Sequence, residues 1–203
     1  MTARGDYLPR MRTIRLLFIG LACACLLPGP SVFAAKKPKS KPAPAAAAPL
    51  AFDPGPAKSL GSAGSWTAYL AQNKSGKVCY LVGQPEKAEP PAAKGKSAMA
   101  MVTHRTQDNV SNVVSFDIGV ALNEDADVTL DVGGGRFALF AKDETAWAAT
   151  AELDKAIVAA LAKEKRVVIN ATLKKGHTAR DTYALGGFAK ALALIDKACD
   201  VRR

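Results

Sequence analysis

A chain of 203 residues in which 49% are hydrophobic can bury a core of its own, which excludes a protein disordered throughout. The formal charge of +10 raises nucleic-acid binding, yet residues 1–35 carry +3 of it, residues 36–64 carry +4 and residues 65–203 only +3. A nucleic-acid-binding domain gathers its cations on the folded part to release phosphate counterions; that balance, with no recognised motif present, excludes the class.

The chain opens with the three parts of a secretory signal. Arg4, Arg10, Arg12 and Arg15 form a basic region, residues 16–27 an apolar run ended by Pro28, and Val32-Phe33-Ala34 a peptidase site with cleavage expected after Ala34. About a dozen apolar residues fall short of the roughly 20 needed to cross a bilayer. The reading is a cleaved signal at 1–34 and a mature chain without a transmembrane segment, periplasmic or associated with the outer surface. Met11 offers a second start, since residues 11–34 make a complete signal alone. Cys23 and Cys25 fall inside this segment, and neither has the preceding residues of a lipid-anchoring cysteine.

Residues 35–64 change composition. Lys36, Lys37, Lys39 and Lys41 alternate with Pro38, Pro42 and Pro44, and alanines and a small polar run follow. With fixed φ angles and hardly any large apolar side chain, this stretch reads as a disordered, partly polyproline-II linker. It is either a solvated spacer or a basic arm toward anionic wall or lipid, at about 1 kcal/mol per cation near a membrane.

Residues 65–203 read as one domain. Strands are expected at 65–70, 77–83, 98–104 and 110–120, from apolar and β-branched runs separated by polar turns. Residues 128–132 and 136–141 flank Gly133-Gly134-Gly135, a hairpin signal; a phosphate loop would lead into a helix and carry Gly-Lys-Ser/Thr. Residues 150–165 read as a helix, with Leu153, Ile157 and Leu161 every fourth residue, Glu152 and Asp154 in the first turn and Lys163, Lys165 and Arg166 at the other end. A strand at 167–173, a turn at 174–177 and a partner strand at 180–185 follow. The last helix, 187–199, aligns Phe188, Leu192, Ile195 and Cys199 on one stripe.

Cys199 thus continues a core-facing stripe, and strand alternation gives Cys79 the same inward face as Leu81. In an exported domain these two widely spaced cysteines read as a disulfide, Cys79–Cys199.

Catalytic chemistry is thin. Of the two histidines, His104 ends a strand and His177 lies in a turn, two ligands short of a zinc site. No Gly-x-Ser-x-Gly elbow is present, and Glu124, Asp125 and Asp127 cluster in a loop without the EF-hand spacing. No catalytic, cofactor-binding or metal-binding residue is assigned, and no cofactor is implied. A hydrolytic carboxylate pair stays open, because such pairs are assembled in space. Trp66 and Trp147, each within or beside an apolar element, are expected in the core.

Trp66-Thr67-Ala68-Tyr69, Val78-Cys79-Tyr80, Thr103-His104-Arg105, the 113–120 run, Gly134 to Phe140 with Trp147, and the 181–188 stretch Asp-Thr-Tyr-Ala-Leu-Gly-Gly-Phe running to Cys199 together resemble the invasion-associated locus B proteins of alphaproteobacteria. The resemblance covers nearly all of residues 65–203. It implies an envelope protein, periplasmic or surface-associated, with a largely antiparallel β-sandwich; the expected fold class is mainly β, an immunoglobulin-like sandwich with two α-helices, one of them C-terminal. It implies no enzyme and supplies no catalytic residues. The leading expectation is therefore a non-enzymatic binder of an envelope protein, the cell wall or a host surface. The alternatives are a wall or lipid binder using the basic linker, whose envelope association is salt-sensitive and lost without residues 36–64, and a carboxylate-dependent envelope hydrolase.

Overall fold

The computed structural model describes residues 56–73 and 76–203. The expected signal, its cleavage point, Cys23, Cys25 and most of the expected linker lie outside them. Eleven strands and two helices follow in order: β1 (Ala57–Ala63), β2 (Trp66–Asn73), β3 (Gly76–Gly83), β4 (Lys87–Glu89), β5 (Met99–Arg105), β6 (Val110–Asp117), β7 (Val128–Val132), β8 (Gly135–Lys142), β9 (Thr145–Trp147), α1 (Ala151–Leu161), β10 (Arg166–Thr172), β11 (Thr178–Ala184) and α2 (Phe188–Ala198).

The strands pair antiparallel in the order β1-β2-β3-β5-β6-β9-β8-β7-β10-β11-β4. β8 turns the corner: Gly135 to Leu139 pair with β7, and Phe140 to Lys142 pair with β9. The two halves thereby face each other as the layers of a sandwich. Contact between them is direct, since the Trp66 indole Nε1 on β2 donates to the Ala184 carbonyl on β11 at 2.8 Å. Tyr183 of β11 meets the Phe116 ring of β6 edge-on at 5.7 Å.

Alternation decides which side chains fill the space. Cys79 and Leu81 of β3, Val128, Leu130 and Val132 of β7, and Val167, Ile169 and Ala171 of β10 are all buried. α2 buries Phe188, Ala191, Leu192 and Ile195 and packs on β1, β2 and β3. α1 buries Ile157, Val158 and Leu161 against β6. Each fully buried side chain of this size contributes about 1.5–3 kcal/mol. Cys79 on β3 and Cys199, just past α2, form a disulfide with Cα atoms 6.0 Å apart across a sequence separation of 120.

Several boundaries differ from the sequence expectation. β1 lies inside the stretch read as linker, so ordered structure begins before residue 65. Its sequence, Ala-Lys-Ser-Leu-Gly-Ser-Ala, has one large apolar residue, and the strand is held by pairing with β2 and cover from α2. β4 and β9, three residues each, are too short for a periodic signal. β6 stops at Asp117 because the carboxylate accepts the Gly119 N–H at 2.7 Å, a side-chain turn that ends the ladder. α1 ends at Leu161 rather than 165, with Ala162 as its cap, and the basic residues that follow lie beyond the helix.

Candidate interaction surface

Opposed residues in an antiparallel sheet share a face, so strand register maps the outer surface of the β2-to-β8 layer. One row runs Thr67, Val82, Met101, Ser115, Trp147 and Phe140 across β2, β3, β5, β6, β9 and β8. The next row runs Tyr69, Tyr80, Thr103 and Val113. The longer row crosses five strand spacings, roughly 24 Å.

Neither row contains a charged residue. Tyr69, Tyr80, Val82, Met101, Val113 and Trp147 are half-buried, and Phe140 is the exposed large hydrophobic of the described chain at 36%. The Tyr69 and Tyr80 rings stack with centroids 5.2 Å apart at 19°. Burial, and then the neighbouring Tyr69, push the Tyr80 pKa up. Thr103 and Ser115 are buried small polar residues between these larger neighbours. Large apolar and aromatic side chains on the face turned away from the core do nothing for the sandwich interior. They give this layer an uncharged band suited to a protein contact.

Trp147 belongs to this band, which corrects its expected place in the core. Alternation on the three-residue β9 turns Ala146 inward and Trp147 outward. Trp66 is in the core as expected, 1% exposed, with the Phe188 ring edge-on at 4.9 Å.

The remaining polar groups serve the fold. His104 is 1% exposed; its Nδ1 accepts the Asn112 N–H at 2.9 Å, so Nε2 carries the proton and donates to Asp196 Oδ1 at 2.9 Å. A bulge in the β5–β6 pairing at His104 turns Asn112 toward the ring. Arg203 Nη2 binds the same Asp196 carboxylate at 2.8 Å. Burial pushes the Asp196 pKa up, but the bonds from His104 and Arg203 outweigh it and hold the carboxyl below its usual value. His177 is exposed in the β10–β11 turn.

Asp181 and Tyr183 point inward from β11, both fully buried. Burial raises the Asp181 pKa to about 6, opposed by the Glu89 backbone N–H, and pushes the Tyr183 phenol up as well. Glu124 pairs with Lys142 at 3.2 Å, and the Asp143 N–H leads in holding its carboxyl low. Four shallow clefts of about 310 to 530 Å³ are each lined by at most one carboxylate residue. Among the described residues no group of three or more His, Cys, Asp or Glu could hold a metal ion, and no helix is long and apolar enough to cross a membrane.

Fold and surface together define a disulfide-closed, mainly antiparallel β-sandwich domain with a C-terminal helix and an uncharged aromatic outer band. The chain belongs to the invasion associated locus B (IalB) protein family, whose pattern it matches over residues 66–196. Among solved structures it is similar to invasion associated protein B from Bartonella henselae, at 18% sequence identity and a TM-score of 0.49, with 72% of this chain and 99% of that one covered. No curated protein matches.

Proposed function

We propose that this is a non-enzymatic exported envelope protein that binds another protein of the envelope through the uncharged outer band. The disulfide favours an oxidising compartment, and the N-terminal segment supplies the export signal. The observation that carries the reading is the row Val82, Met101, Trp147 and Phe140 beside the stacked Tyr69 and Tyr80. Aromatic and methionine side chains are enriched at protein interfaces, with Trp and Tyr among the residues that carry most of the binding energy, and a charge placed among them is costly.

In-cell crosslinking from a photoreactive residue at position 140, the exposed end of the same row, should capture one reproducible partner. Met101→Asp should abolish that capture, whereas an equivalent charge on an exposed surface elsewhere, Ala159→Asp, should leave it intact. Capture that survives Met101→Asp in a normally folded protein would rule out this face as the docking site.

A further inference from the structure

The charge of the described domain is balanced in sum and polarised in space. Strands β1 to β3 and the chain from α2 onward carry Lys58, Lys77, Lys190, Lys197, Arg202 and Arg203 against Asp196 and Asp200, a net of +4. The connecting part, residues 86–181, holds 13 Lys and Arg against 14 Asp and Glu, a net of −1.

The two carboxylates on the basic side are already engaged. Asp196 binds Arg203 and His104, and Asp200 lies 3.7 Å from Lys77 Nζ. Lys58, Lys190, Lys197 and Arg202 are exposed, with no ion-pair partner among the described residues.

Packing brings these cations together. The start of α2 abuts the end of β1, where a Cβ on Gly187 would stand 2.1 Å from the Ala63 carbonyl oxygen. Further along, Leu194 reaches to 3.3 Å from a Cβ placed on Gly61. The helix therefore runs antiparallel along the edge strand, so Lys58 at the start of β1 lies toward the end of α2 that carries Lys197. On α2, Lys190, Ala193 and Lys197 are exposed and Leu194 half-buried along one stripe.

We propose that this α2–β1 face docks on an anionic phospholipid surface. Charge complementarity selects the partner: three of the four unpaired cations are lysines, compact point charges that suit a diffuse field of headgroup phosphates. Small and apolar residues between the lysines let the helix lie flat in the headgroup layer while the ammonium groups reach the phosphates.

The test is vesicle sedimentation with the chain as recovered from its native envelope. Phosphatidylcholine vesicles with about 30% phosphatidylglycerol should bind it at about 50 mM salt and release it at about 300 mM, while phosphatidylcholine alone should not bind. The triple variant Lys58→Gln, Lys190→Gln, Lys197→Gln should bind about 30- to 100-fold more weakly. A control with the same charge change elsewhere, Lys94→Gln, Lys155→Gln, Lys163→Gln, should lose less than about threefold. Both variants retain Lys36 to Lys41. Wild-type binding by the first triple, equal losses in both triples, or binding to purified cell wall but not to these vesicles would each overturn the proposal.

Discussion

Single residues carry the pH dependence of this fold. Asp154 reads from sequence as a helix-dipole partner in the first turn of α1. In the structure its Oδ1 accepts the Val114 N–H at 2.8 Å, on the stretch of β6 beyond the three residues that pair with β9. Burial raises its pKa to about 7, with the Val114 bond pulling the other way; Asp181 stands at about 6. Both folded values lie above the ordinary carboxylate value, so the stability these groups contribute is fully present below about pH 4. It is lost as pH rises through 6 and 7. The loss is on the order of 3 to 4 kcal/mol for each group. Asp181→Asn and Asp154→Asn should therefore raise the urea midpoint at pH 8 and change it little at pH 4; parallel pH profiles for variants and wild type would refute this. Asp196 works in the opposite sense, its contribution being lost as pH falls below the carboxylate range. No sequence pattern announces these roles, because a carboxylate in a helix's first turn looks the same whether it meets water or a strand edge.

Among the elements, strong periodicity was legible and weak periodicity was not. β3, β7, β10 and α2 alternate or stripe clearly, and their residues are buried as expected. β1 has no such pattern, because an edge strand shielded by a helix needs backbone pairing more than side-chain burial. The junction of β1 with α2 depends on one residue. Gly187 has φ +95 and leaves no room for a Cβ against the Ala63 carbonyl. Gly187→Ala should thus separate α2 from the β1–β2 turn and cost about 2–4 kcal/mol in chemical unfolding, from backbone strain and a steric clash together. A loss below about 0.5 kcal/mol, the range of a neutral surface change, would show that the junction yields freely. The outer band is not legible in the sequence for a related reason: Trp147 sits on a strand too short to show alternation, so its apolar surroundings alone placed it in the core.

At the scale of the molecule, the disulfide was readable from two cysteines on inward faces, and the sandwich from the resemblance to the invasion-associated locus B family. The segregation of charge was not. Counting the domain as near neutral hides a local excess of cations on β1 to β3 and the chain from α2 onward, and only the packing of α2 on β1 puts Lys58 and the lysines of the helix on one side of the fold. Closing a loop of 120 residues stabilises the native state by about 4–5 kcal/mol in the chain-entropy model. Non-reducing peptide mapping should recover the Cys79–Cys199 pair from protein taken from its native compartment, and Cys79→Ala with Cys199→Ala should lower Tm by at least about 10 °C. Two free thiols in the native protein would contradict it. The same bond has a mechanical consequence. A pull applied through the residues before β1 loads the open end of the β1–β2 hairpin, at the Ala57–Ala71 pair, so hydrogen bonds break one after another rather than together. β1 can peel away and lengthen the chain by about 24 Å, while the cystine still ties β3 to the end of α2. The edge strand becomes an extensible lead, and the rest of the domain keeps its shape while that lead is under tension.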